Sequence, residues 1–211
     1  MLFRSAVTYI MEEFVKGTIQ TFDGLTDRNG DIVFCTSHIY NDGVMEVVNH
    51  DLDLYYYSLR EIPEKLIEFG TKIIDVFGIK ERFFHLEFFE TGKQQFVALE
   101  VNMRPPGGWT MDMFDYAADL DLYREWANLV TGQPLTIKEY QRKYHTGYVG
   151  RKGHKAYRHN HAEIMQRYGH LVAHYSEMQG IFGEVMGNFG YIVRSPHLNE
   201  LFEAIRFMHE K

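Results

Sequence analysis

The stretch that most constrains this chain runs from Phe83 to Gly108, FFHLEFFETGKQQFVALEVNMRPPGG. Its first arm, Phe83 to Glu90, is crowded with aromatic residues, and its second, Gln95 to Met103, alternates residue types with a period of two. Two such runs joined by a short segment around Gly92 read as a β-hairpin. Strand side chains alternate faces, so Ala98, Glu100 and Asn102 share one side and Val97, Leu99, Val101 and Met103 the other. An even-numbered loop, Gly92-Lys93 or Thr91 to Gln94, sets Glu87 opposite Ala98 and His85 opposite Glu100. His85, Glu87, Glu100 and Asn102 then gather on one face, while Phe84, Leu86, Phe88, Val97, Leu99 and Val101 pack the other. An odd-numbered loop breaks this arrangement.

Two carboxylates and an amide oxygen on one face suit a hard cation such as Mg²⁺, with Mn²⁺ as the alternative, because such ions take oxygen ligands and bind substrate phosphates. Arg104, just past the strand, adds a fixed positive charge where anionic oxygens would gather. The same alternation also describes an ordinary solvent-facing side of a sheet. What separates the two readings is a resemblance. Glu87 in HLEFF, followed by Glu100-Val101-Asn102-Met103-Arg104-Pro105 and a Gly-Gly pair, resembles the signature of the ATP-grasp superfamily. The resemblance covers roughly the first 135 residues, a usual size for such a unit. It implies that Glu87, Glu100 and Asn102 hold the magnesium that bridges ATP phosphates, and that Arg104 stabilises the phosphate or the intermediate.

Further upstream, Val7 to Gly17 (VTYIMEEFVKG) resembles the adenine-contacting hinge strand of the same superfamily, which makes Glu12, Glu13, Phe14 and Val15 the implied nucleotide contacts. Thr18 and Gln20 stand where many relatives carry a ribose-binding acid. Ala6 to Phe14 already reads as a strand directly after Met1–Ser5. The expectation is therefore a chain cut at its N-terminal side, with residues 1–5 foreign to it. The resemblance also implies a preceding lobe with a glycine-rich loop and phosphate-binding lysines. This sequence shows no such loop, so the chain is expected to hold half an active site, to bind ATP weakly alone and to turn over little.

The remaining elements follow from local signals. Asn29-Gly30 marks a hairpin between Thr18–Leu25 and Asp31–Ile39. Asp23 is read as capping or pairing at the strand end, and Ser37, His38 and Tyr40 as surface residues that could face substrate. Residues 41–60 lack a period and read as a loop near the substrate side, with Tyr55, Tyr56 and Tyr57 partly packed. Ile62 to Phe77 is the clearest helix, with Pro63 at its start, Gly78 past its end, and a stripe of Ile62, Leu66, Phe69, Ile73 and Phe77. Trp109–Ala118 and Leu120–Thr131 read as two more helices. Beyond Tyr144 come strands at Gly147–Lys152, Leu171–Tyr175 and Phe189–Arg194, with helices at Asn160–Tyr168 and Pro196–His209. The dense basic run Arg151 to His161 reads first as solvated surface, then as a basic rim, and only third as a metal site.

Together these give an α+β fold: an antiparallel sheet covered by helices, the C-terminal lobe of an ATP-grasp domain in residues 1–135, with a small α+β extension in 136–211. A formal net charge of −7 argues against nucleic-acid binding. The single Cys35 excludes an internal disulfide and fits a reducing, cytoplasmic setting. No run approaches the ~20 apolar residues of a membrane span. The resemblance implies an ATP- and Mg-dependent ligase that activates a small carboxylate as an acylphosphate for attack by an amine. A biotin carboxylase-like enzyme and a non-catalytic nucleotide-binding remnant are the alternatives. A homo-oligomer is left open.

Overall fold

The structure, a computed structural model, describes residues 10–178 and 180–211. The elements run β1 (Thr18–Thr26), β2 (Ile32–Thr36), β3 (His38–Tyr40), α1 (Val44–Asn49), β4 (Tyr55–Ser58), α2 (Glu64–Phe77), β5 (Phe83–Gly92) and β6 (Gln95–Asn102). They continue as α3 (Thr110–Ala118), α4 (Leu122–Thr131), β7 (His145–Arg151), α5 (His161–Tyr168), β8 (Val172–Glu177), α6 (Gly183–Met186), β9 (Phe189–Ser195) and α7 (Leu198–His209). All the strands join one sheet in the order β6-β5-β1-β3-β4-β7-β9-β8, with β2 paired on β1. Each described pairing is antiparallel. This is the expected α+β architecture.

The first hairpin turns where Asn-Gly predicts it. Asp27 Oδ1 accepts the backbone N–H groups of Asn29, Gly30 and Asp31 at 2.8, 3.0 and 3.0 Å, and Gly30 takes φ +97°. Helix α2 begins after Pro63 and ends on Gly78, which adopts the left-handed conformation with φ 61°. It buries Leu66, Gly70 and Ile74 against β1 and β5. A Cβ on Gly70 would lie 2.1 Å from the Phe22 ring, so the helix rests on the sheet at that point only because the residue has no side chain. Phe22, Phe84, Leu86 and Phe88 complete this core, each contributing about 1.5–3 kcal/mol on burial.

Several expectations are corrected. Residues 6–9 of the Ala6–Phe14 strand lie outside the described residues, and Ile10–Lys16 carry no strand. Ile10, Met11 and Phe14 are 85, 97 and 79 % exposed, so little among the described residues covers them. Residues 41–60 are not a loop but hold α1 and β4. The Asn41 side chain clamps the segment by accepting from Tyr55 N (2.8 Å) and donating to the Asp53 carbonyl (3.1 Å), and Tyr56 is fully buried between Tyr40 and Tyr148. Ser37 and His38 are fully buried and not surface residues, because β3 lies in the middle of the sheet. Phe77, assigned to the buried stripe of α2, is 54 % exposed at the helix end.

The hairpin register also differs. Gly92 pairs with Gln95, so the turn is Lys93-Gln94, with Gln94 at φ 55°. Irregularities between Glu90 and Gly92 and between Glu87 and Phe88 shift the pairing twice, which sets Glu87 opposite Glu100 and His85 opposite Asn102. The second shift leaves Leu99 between paired positions, and such a bulge re-aims the neighbouring side chains. Phe96 therefore packs in the core, whereas Val97 and Leu99, expected there, are 41 and 40 % exposed.

Candidate functional site

Strand β5 lies between β1 and β6, and the shared face of these strands carries most of the polar side chains singled out from the sequence. Glu87 and Glu100 are directly opposed, as are His85 and Asn102, so all four converge on one face as anticipated, although in a different register. Glu87 is half-buried and Glu100 exposed. The Asn102 amide nitrogen is buried with no partner among the described residues. An anionic oxygen could accept from it, and turning the amide over would put its oxygen in the same place. The donor set therefore fits a hard oxygen-seeking cation bound together with phosphates. Arg104 is exposed beyond the strand end, with one guanidinium N–H donated to the Pro105 carbonyl at 3.0 Å.

A groove of about 630 Å³ opens beside this face. Phe14 and Val15 line it together with Glu87, Phe89, Leu99 and Tyr40. The structure thus brings two of the four hinge candidates to the same groove as Glu87. Glu12 and Glu13 are exposed and do not line it, and neither do Glu100, Asn102 or Arg104. Among the described residues no group of three or more His, Cys, Asp and Glu side chains stands at metal-binding separation. The cation reading therefore rests on the Glu87–Glu100 pair together with Asn102.

Behind Glu87 is a polar network that the sequence reading did not assemble. Asp23, fully buried on β1, accepts from His85 Nδ1 on β5 (2.6 Å), His38 Nδ1 on β3 (3.0 Å) and the Thr21 hydroxyl (2.5 Å). The other ring nitrogen of His85 lies 2.9 Å from Glu87 Oε1. Since both His85 partners are carboxylates, both ring nitrogens act as donors, and the ring is an imidazolium. Burial alone would raise Asp23, but the charge of His85 and the hydrogen bonds from His38 and His85 outweigh it and hold the carboxyl down to about 2. Burial alone would lower His85. The charge and hydrogen bond of Asp23, joined by Glu87, push it up to about 10. The available signal was the alternation of Thr21, Asp23, His85 and Glu87 on paired strands. It becomes readable only once the β1–β5 pairing sets Asp23 opposite His85.

The basic run 151–161 is in part the solvated surface expected of it, with His154, Arg158 and His161 exposed, but most of its charges are paired and do not form an open rim. Lys152 is 4 % exposed and pairs with Asp51 (2.7 Å), which also accepts from His154 (2.8 Å). Lys155, Lys211 and the Tyr157 hydroxyl converge on Asp53 at 2.9, 2.9 and 2.8 Å. Arg158 and His159 pair with Glu210. The hydrogen bonds from His154 and Lys152 hold Asp51 well below the usual carboxylate range. His161 begins α5 and meets the Tyr191 hydroxyl at 2.9 Å.

A mixed fold of one antiparallel sheet flanked by helices, with paired carboxylates beside a groove, is what the superfamily resemblance implies. The chain belongs to the ATP-grasp family: the family model described as an ATP-grasp domain matches residues 3–112. Solved structures share the fold. The phosphoribosylaminoimidazole carboxylase ATPase subunit from Aquifex aeolicus superposes with a TM-score of 0.67 at 19 % identity, over 94 % of this chain and 60 % of its own. The L-amino acid ligase from Bacillus licheniformis gives 0.68 at 12 % identity, over 92 and 53 %. The biotin carboxylase domain of 2-oxoglutarate carboxylase from Hydrogenobacter thermophilus, solved with MgADP, ADP and bicarbonate, gives 0.59 at 12 % identity, over 90 and 44 %. This chain thus spans 44–60 % of the length of these structures. No curated protein sequence matches it. Among the described residues no helix is long and apolar enough to cross a membrane.

Proposed function

We propose that this chain supplies the adenine- and cation-facing part of the ATP site of a ligase that activates a small carboxylate as an acylphosphate for attack by an amine. The supporting observation is the groove that joins Phe14 and Val15 to Glu87, with Glu100 directly across from Glu87. In this reading the backbone of Glu12–Val15 receives the purine edge and the Phe14 side chain covers the ring. Glu87, Glu100 and the Asn102 amide hold the cation, and Arg104 leaves the Pro105 carbonyl to meet the transferred phosphoryl group. When bound, Mg²⁺ supplies neutralisation of the phosphate charge that the transfer requires. The side chains contribute position: a cross-strand pair of carboxylates on a sheet keeps its separation, and Arg104 at the strand end can approach without crossing it. Residues 136–211 act as an extension packed on the first unit. They carry a core of their own in which Val149, Ile164, Tyr191, Leu201 and Met208 meet.

Calorimetric titration of ATP into the 211-residue chain, with and without Mg²⁺, tests this reading. Mg²⁺ is expected to tighten nucleotide binding, and Glu100→Ala to remove that coupling. Binding indifferent to Mg²⁺, or coupling that survives Glu100→Ala, would overturn it. A second reading is favoured by the bicarbonate and MgADP bound in the 2-oxoglutarate carboxylase relative. In that case the activated acid is bicarbonate. Trapping with hydroxylamine separates the two, because an acylphosphate of an organic acid yields a stable hydroxamate and carboxyphosphate does not.

A further inference from the structure

Glu87 is not a free side chain on a sheet face. One of its oxygens, Oε1, accepts from His85 Nε2 at 2.9 Å, and Oε2 accepts no hydrogen bond among the described residues. His85 is in turn held at its other nitrogen by Asp23, 2.6 Å away and without solvent access. Asp23 cannot shift, because its second oxygen is taken by the Thr21 hydroxyl and by His38 Nδ1. The Thr21 hydroxyl also accepts from His38 N at 3.1 Å, which ties the cluster to the backbone of β3. A buried ion cluster with a purely structural role would be closed on itself. This one ends on a half-exposed carboxylate that lines the groove and faces Glu100.

From this geometry we propose that His85, backed by Asp23, is a positioning residue for Glu87: it pins Oε1 and so leaves Oε2 as the oxygen presented to a divalent cation. The proposal rests on the reading of Glu87 as a cation ligand. A glutamate on a strand has several rotatable bonds, and ordering such a side chain when a ligand binds costs rotamer freedom. Here the cost is met during folding by a charge-assisted hydrogen bond from a ring that cannot turn. Outer partners of ligating carboxylates act in this way, and their loss lowers metal affinity by roughly 10–100-fold. His38 belongs to the same device one step further back, since it holds the second oxygen of Asp23.

The test is Mn²⁺ binding by the intact chain in the presence of ATP, read as the loss of the free-ion electron paramagnetic resonance signal beyond that caused by the same ATP without protein. Thermal melting without metal is followed in parallel. The wild type is expected to bind Mn²⁺, and Glu87→Ala to abolish binding. His85→Phe is expected to weaken it by roughly 10–100-fold. His85→Gln, whose single amide can donate to only one of the two carboxylates, should fall between the two and supplies the reading if His85→Phe does not fold. Gly70→Ala strains the packing of α2 on Phe22 without touching the Asp23 cluster, and is expected to lower the melting temperature while leaving Mn²⁺ affinity within about twofold. If His85→Gln or His85→Phe binds Mn²⁺ like the wild type while Glu87→Ala does not, the positioning role is overturned and the cation site stands. If Gly70→Ala weakens Mn²⁺ as much as the His85 variants do, lost stability alone explains their effect and the positioning role is overturned. Absence of Mn²⁺ binding in the wild type overturns the cation reading and this proposal together.

Discussion

Two charged clusters in this molecule invite comparison. The first, Asp23, His38, His85 and Glu87, is drawn from three strands and 65 positions of sequence, yet it forms one connected chain of hydrogen bonds through the sheet. The second, Arg151 to His161, is the densest cationic stretch of the sequence. In the fold it is consumed: Asp51 and Asp53, on the loop after α1, absorb Lys152, His154 and Lys155, and Glu210 absorbs Arg158 and His159. Charge density along the chain marks the second cluster, but unfinished coordination marks the first. A polar group left one partner short at a groove is a better sign of function than a run of charge that finds its counterions nearby.

The comparison can be broken most forcefully at Asp23. Replacing it with leucine leaves two imidazoles facing a buried apolar group, and is expected to cost ~3–5 kcal/mol in urea denaturation. A loss below ~1 kcal/mol would show the network to be less buried than the structure has it.

Next in size is a pH effect. The folded-state pKa of His85, about 10, lies above its ordinary 6.5, so its contribution is complete below about pH 6.5 and is lost as pH rises through 10. That of Asp23, about 2, lies below its ordinary 3.8, so its contribution is complete above that value and is lost as pH falls through 2. Wild-type stability measured by urea unfolding should therefore decline by about 3–4 kcal/mol between pH 7 and pH 10. The part of that decline due to His85 should be missing in His85→Phe. An equal slope in the two proteins would remove His85 from the account.

Gly70→Ala tests whether the site-bearing sheet depends on the close approach of α2. With the added methyl 2.1 Å from the Phe22 ring, a loss of about 1–3 kcal/mol is expected, and no loss would mean that the helix can slide. The smallest effect is expected in the second cluster. Lys152→Met keeps the buried stem and removes only a charge paired with a half-exposed carboxylate, so the melting temperature should move by no more than about 3 °C. Nucleotide binding should not change. A lost Mg²⁺–ATP coupling in Lys152→Met would reverse the comparison and make the basic cluster part of the site.

Much of the fold could be read without coordinates. The Asn29-Gly30 turn, the Pro63 and Gly78 bounds of α2, and the strands and helices after Tyr144 rest on local chemistry, and they appear within a few residues of their expected ends. Residues 41–60 were misread because their signal is not periodic. A short helix and a four-residue strand are held there by the Asn41 clamp and by tyrosine stacking, both of which need partners far along the chain. The hairpin was legible as a hairpin but not in its register, because a bulge adds one residue without changing the composition on either side of it.

The candidate site divides in the same way. Glu87, Glu100 and Asn102 can be placed on one face from the sequence because a strand alternates its side chains whatever surrounds it, and Arg104 is marked by the motif that continues past the strand end. Which carboxylate faces which was decided by the bulge at Leu99, and which of them is braced was decided by β1 pairing with β5. Local backbone geometry carries the first kind of information in adjacent residues. The second depends on strands brought together from positions 23, 38 and 85, and a buried carboxylate between two imidazoles exists only after water has been excluded from all three.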